Sequence, residues 1–104
     1  MIFRRRFADV IARQLDVFAE DEARGLLAEV RELKGRYDVA ERENAEEAYG
    51  DYTDAVEAAT EALADMRDRF AGTLDEDTAE EYERAFNRAV QKRWPPFGLE
   101  IENR

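Results

Sequence analysis

Apolar residues recur at intervals of three and four positions from Ala45 to Phe70, the spacing that aligns side chains along one face of an α-helix. Alanines dominate the first half of this stripe, and small side chains allow a second helix to approach closely. Tyrosine also suits an interface, because its ring is apolar while its hydroxyl can reach water. We therefore predict a helix–helix interface formed by Ala45, Ala48, Tyr49, Tyr52, Ala55, Val56, Ala59 and Leu63.

The same stripe extends backwards to Val30 with one four-residue slip and no proline. This phase favours a single central helix over residues 21–72, which would be about 75 Å long. The alternative is a break near Gly35, because a lysine followed by a glycine is typical of a helix C-terminus. A glycine inside a helix costs only about 1 kcal/mol relative to alanine, so the continuous helix stays the favoured arrangement.

A shorter amphipathic helix is predicted over residues 1–18, with Phe3, Phe7 and Ile11 among the residues on its apolar face. Its arginines support two interpretations. The helix either lies on an anionic membrane surface or an acidic partner, or it buries its apolar face in the protein core. The core is favoured, since stable membrane attachment usually needs a second anchor. The residues that would contact an anionic surface are Arg4, Arg5 and Arg6.

A second short helix is predicted near the end of the chain. Thr78 and Glu81 form a capping box at its start, and Pro95 and Pro96 predict its end. One face carries cations spaced four apart, which either lie against the acidic flank of the central helix or form an ordinary solvated face. These cations are Arg84, Arg88 and Lys92.

We predict one helical domain over residues 1–97, followed by a C-terminal tail over residues 98–104 that is extended or disordered. The apolar residues in and beside this tail are too numerous for a merely solvated end. They either fold back over the helical core, which is favoured, or form a docking segment for another chain. The residues concerned are Trp94, Phe97, Leu99 and Ile101.

Composition narrows the classes of function. The chain of 104 residues has a formal net charge of −10, and it contains no cysteine, histidine or serine. These absences remove the commonest general base and the commonest nucleophiles, so we expect neither catalysis nor a cofactor. The acidic surface repels phosphate, which argues against nucleic acid as a main partner. No apolar run approaches the roughly 20 residues of a membrane span, and we expect the cytoplasm.

Acidic residues on neighbouring helical turns raise the question of a metal site. Carboxylates alone can bind Ca²⁺, Mg²⁺ or Mn²⁺, although the Glu-x-x-His pattern of di-iron helical bundles is missing. A solvated acidic face is the simpler interpretation of this group. Its members are Glu43, Glu46, Glu47, Asp51 and Asp54.

The sequence thus predicts an all-α protein, an antiparallel helical bundle or hairpin with a long central helix. Outer helices of about 24 Å cannot cover a central helix of about 75 Å, so we expect a homo-oligomer built along the central stripe. The expected function is a non-catalytic, acidic helical module for self-association or for binding another protein. Attachment to a membrane surface and carboxylate-only metal binding are the alternatives.

Overall fold

The computed structural model describes residues 6–22 and 24–104 and, within these, the side chains of all but 21, 22 and 24. The described residues form helices joined by short turns, with no strand among them. The prediction of an all-α protein is confirmed. The helices in chain order are α1 (Ala8–Val17), a π-helical segment (Phe18–Glu22), α2 (Arg24–Val39), α3 (Arg42–Ala71), α4 (Glu76–Arg93), a 3₁₀ turn (Pro95–Phe97) and α5 (Gly98–Glu102).

The central stripe is folded into a hairpin. The predicted single helix over residues 21–72 is wrong, because the chain breaks between α2 and α3 at Ala40 and Glu41, where the Glu41 backbone is extended. The break also lies five residues beyond Gly35, which stays inside α2. Folding back lets the stripe pack against itself, as the ring of Tyr37 lies 5.2 Å from that of Tyr49 and 6.3 Å from that of Tyr52.

The core lies around the C-terminal half of α3. The ring of Phe7 is 5.4 Å from that of Tyr82, and the ring of Phe18 is 5.7 Å from that of Trp94, so α1 and α4 run in the same direction. The α3 helix is antiparallel to both, since the ring of Phe70 near its C-terminus lies 4.8 Å from the ring of Tyr82 in the first half of α4. The side chains at the centre of this core are completely buried: Ala59, Leu63, Tyr82, Phe86, Val90 and Ile101.

The segment after α4 is helical, whereas the sequence predicted an extended or disordered tail. Proline lacks the amide hydrogen that a helix interior needs, but the first turn of a helix has no use for that hydrogen. Pro95 and Pro96 therefore stop α4 and also begin the 3₁₀ turn that leads into α5. Phe97 and Ile101 enter the core, while Leu99 points to solvent with 83% of its surface exposed.

The α2–α3 hairpin projects from this core. The molecule measures 51 × 24 × 24 Å, and residues 31–54 contain no buried residue. Burial in α3 begins at Ala55, and burial in α2 ends at Val30. The tip of the hairpin is thus a pair of helices that pack mainly on each other, while Leu33 and Tyr52 nearer its base also pack against the core. We call residues 31–54 the projection.

Candidate interaction surfaces

The projection is held together by tyrosine packing between α2 and α3, and two ion pairs lie within α2 itself. The Lys34 ammonium lies 2.7 Å from Asp38, and the Arg36 guanidinium lies 2.9 Å from Glu32. The hydrogen bond to Asp38 raises the pKa of Lys34 above its ordinary value. Both pairs are exposed, and such pairs contribute little to stability, so the hairpin depends mainly on its apolar seam.

The predicted interface residues divide into two groups in the structure. Ala55, Val56, Ala59 and Leu63 are buried in the core of the single chain. The other four lie on the projection and are partly or largely exposed: Ala45, Ala48, Tyr49 and Tyr52. The second helix that the stripe required is therefore α2 of the same chain, and the core half of the stripe has no surface to offer a partner.

The projection ends in an exposed apolar side chain within an acidic surface. Val39 at the tip is 80% exposed, and Tyr49 is half exposed. Between Asp38 and Asp51 the sequence holds six acidic residues and one basic residue, Arg42. Protein-binding surfaces often have an apolar centre within a polar rim, and Val39 and Tyr49 are the exposed apolar side chains that the projection offers for such a centre.

One row of acids follows α3 along the outside of the projection. We call Glu43, Glu47 and Asp51 the acidic row; they are spaced four residues apart and all are exposed. No cation lies within ion-pair distance of the row among the residues that the structure describes. No three acidic side chains in that part of the chain converge on a point where a metal ion could bind.

A groove lies between α1 and α4 at the other end of the molecule. Its volume is about 360 Å³, and its floor is formed largely by small side chains: Ala8, Ala12, Ala85 and Ala89. Arg88 and Lys92 line one rim. Arg93 ties the two helices together, with its guanidinium 2.8 Å from Asp16 and 4.9 Å from the ring of Trp94.

The cations of α4 face away from the core. We call Arg84, Arg88 and Lys92 the basic row; they are exposed and two residues out of phase with the buried Tyr82 and Phe86, which places them on the opposite side of the helix. None of the three contacts a carboxylate within the described residues. The basic row is therefore a solvated face in the structure and does not lie against the acidic flank of the central helix.

A second groove of about 340 Å³ lies where α2 meets the 3₁₀ turn. Lys34 and Asp38 are among the residues that line it. Most of its walls are formed by apolar and aromatic residues: Leu27, Val30, Tyr52, Trp94, Pro96 and Phe97. This groove was not predictable from the sequence, because its walls are brought together only when α2 folds back along α3.

The N-terminal arginines are only partly described. Arg4 and Arg5, with Phe3, lie outside the described residues. Arg6 is exposed and its guanidinium is 3.6 Å from Glu81. The adjacent Phe7 packs edge-on against Tyr82 in the core, so this side chain is engaged within the chain.

Two buried polar groups were missed by sequence reasoning. Arg67 is 4% exposed, and its guanidinium donates to Asp68, to Asn87, and to the backbone oxygens of Ile101 in α5 and of Arg104. A sequence signal existed, since Arg67 follows Leu63 by four residues and so falls in the apolar phase of α3. The other group is the Tyr82 hydroxyl, which donates to Gln14 Oε1 at 2.8 Å; burial raises the pKa of Tyr82 to about 12.

No protein-family model matches the chain, and no curated protein sequence or solved structure is significantly similar to it. Among residues 6–22 and 24–104, no helix is both long enough and apolar enough to cross a lipid bilayer.

Proposed function

We propose that this protein is a non-catalytic interaction module that associates with other chains, including copies of itself, through its acidic projection. The observation that carries the proposal is the exposure of Val39 at the tip of a two-helix element whose residues 31–54 include none that is buried. A projecting element of this kind presents its sides and tip to a partner, while the core at the other end keeps the chain folded.

Charge indicates the kind of surface that the projection would bind. The carboxylates of the acidic row are exposed, and none forms an ion pair among the described residues, although Arg36 lines the same groove as Glu47 and Asp51. A basic surface would therefore pair with them. The partner also needs an apolar patch or groove large enough for Val39. A cytoplasmic setting is part of the proposal, since a chain without cysteine needs no oxidising compartment.

The alternative functions have less support. Membrane attachment through the N-terminal helix needs its aromatic residues to be accessible, and Phe7 is packed against Tyr82. Metal binding needs several carboxylates at one point, and the acids of the projection are distributed along α3. Co-sedimentation with anionic vesicles and thermal melting in Ca²⁺, Mg²⁺ and Mn²⁺ test these two alternatives directly.

The test of the proposal is sedimentation velocity over a wide range of protein concentration, with Val39→Ala as the variant. We expect the wild-type chain to associate as concentration rises, and we expect the variant to associate about tenfold more weakly, because it loses roughly two buried methyl groups at the contact. Leu99→Ala is the matched control, since Leu99 is equally exposed but lies on α5. A wild-type chain that stays monomeric throughout, or a control as weak as Val39→Ala, would overturn the proposal.

A further inference from the structure

The groove between α1 and α4 has the properties that a partner of the projection requires. Its floor is apolar and lined by alanines, so another chain can approach the two helices closely. Its rim carries Arg88 and Lys92, which continue the basic row that begins at Arg84. On a chain with a net charge of −10, this is a local positive surface beside an apolar groove.

The acidic and basic rows match each other in spacing. Each row has three charges at intervals of four residues on one α-helix, and each is therefore about 12 Å long. Laid side by side, the two rows bring every carboxylate opposite a cation. Val39 lies four residues before the first acid of the row, at the tip, where it is the exposed apolar side chain available to the groove.

The rows of one chain do not meet each other. The basic row is on the side of α4 that faces away from α3, because it is out of phase with the buried residues of α4. The acidic row is exposed on the half of α3 that α4 does not cover, since burial in α3 begins only at Ala55. Glu47 and Asp51 lie there on the flank beside Leu33 and Arg36 of α2. A second copy of the chain can present the acidic row to the basic row without any change in fold.

We propose that copies of this chain associate head to tail, with the acidic row of one copy paired with the basic row of the next and the tip beside the α1–α4 groove. This inference rests on the proposed function and names the receiving surface. The contact joins two different surfaces, so a pair of copies leaves one acidic row and one basic row free, and repetition produces rings or filaments.

The test reverses the sign of the charges in each row, one row in each variant. One variant carries Glu43→Lys, Glu47→Lys and Asp51→Lys, and the other carries Arg84→Glu, Arg88→Glu and Lys92→Glu. All six side chains are exposed, and circular dichroism and thermal melting verify that each variant folds. Either reversal alone places like charges opposite each other, so we expect self-association to be weaker by about tenfold or more.

Combining the variants gives the decisive measurement. A mixture of the two variants, or one chain that carries all six substitutions, restores opposite charges at the contact, and we expect association close to that of the wild type. The matched control is Glu57→Lys, Glu61→Lys and Asp65→Lys, which reverses three exposed acids at the same spacing on the other half of α3. We expect this control to associate as the wild type does.

One further variant tests whether net charge alone determines self-association. It combines the control substitutions with the reversed basic row. It has the wild-type net charge, but the row beside the α1–α4 groove is then acidic like the row on the projection, and its new cations lie away from that groove, so we expect its self-association to stay weak. The inference is overturned if this chain associates as well as the sixfold variant, or if either single reversal leaves association unchanged. In those cases the proposed function stands with another receiving surface, whereas a wild-type chain that never associates removes both.

Discussion

Arg67 should hold the end of the chain against the core, and replacing it with methionine is the most direct test of how this fold is stabilised. The side chain is 4% exposed, and its guanidinium links three elements. It donates to Asn87 Oδ1 of α4 at 2.9 Å, to the carbonyl oxygen of Ile101 in α5 at 3.3 Å, and to that of Arg104 at 2.8 Å. Methionine keeps the apolar stem and removes every donor.

The expected loss follows from the acceptors that stay behind. Three oxygen acceptors lose a charged donor, and each such hydrogen bond contributes at least about 1 kcal/mol, so the free energy of unfolding should fall by about 3 kcal/mol or more. Removing a buried cation regains some desolvation energy, but Asp68, its carboxylate partner, is more than half exposed and stays hydrated. A loss of this size lowers the melting temperature of a domain this small by roughly 12 °C or more.

Urea denaturation measures the global effect, and Trp94 reports the local one. Trp94 is the only tryptophan of the chain, and its ring lies 6.0 Å from that of Phe97, at the start of the segment that Arg67 holds. We expect Arg67→Met to red-shift the emission of Trp94 and to speed hydrogen exchange in α5. Arg69→Met, on the exposed side of the same helix, should stay within about 0.5 kcal/mol of the wild type. If the free energy of unfolding of Arg67→Met is equally close to that of the wild type, Arg67 does not stabilise the fold in this way.

Two further predictions concern pH and helix propensity. Burial raises the pKa of Tyr82 to about 12 from an ordinary 10, so the unfolded chain releases this proton first, and the free energy of unfolding should fall between about pH 10 and 12, by roughly 2 kcal/mol. The Tyr82→Phe variant should lack that fall when the free energy of unfolding is measured by urea titration at alkaline pH. Identical pH profiles for the variant and the wild type would contradict this prediction. A Cβ at Gly35 would meet no atom within 4 Å, so Gly35→Ala should raise the free energy of unfolding by roughly 0.5–1 kcal/mol, and a loss would be the opposing result.

Periodicity identified the helices but not the fold-back of the central stripe. Lys34 and Gly35 have the local chemistry of a helix end, yet the helix continues through them. The real break at Ala40 and Glu41 contains neither glycine nor proline. It is determined by contacts between residues distant in sequence, such as the packing of Tyr37 on Tyr49, and local patterns carry no record of such contacts.

The boundaries of α4 show a smaller difference of the same kind. The sequence favoured Thr78 as the cap, whereas Asp75 caps the helix by accepting hydrogen bonds from the Thr78 amide and hydroxyl. These bonds lower the pKa of Asp75 below its ordinary value. Both residues are good caps, so local propensity could not choose between them. At the other end, Pro95 was interpreted only as a stop, although proline can also begin a helical turn.

Only the charges of the candidate surfaces could be predicted from the sequence. The basic and acidic rows are visible as residues spaced four apart, but their failure to meet depends on which half of α3 the last helix covers. The α1–α4 groove and Arg67 depend on the tertiary arrangement in the same way. A buried arginine becomes visible in the sequence only when its place in the apolar phase is given more weight than its charge.

The hairpin changes the kind of association that this chain can form. A single exposed stripe would have made the oligomer obligatory, because a chain that cannot cover its own apolar face has no stable monomer. Once α2 covers α3 and the remaining helices complete a core that includes Leu63, Tyr82 and Phe86, a single copy buries its own apolar stripe. The proposed association through exposed charged rows would then be reversible, and salt should weaken it, since screening acts most strongly on solvent-exposed charges.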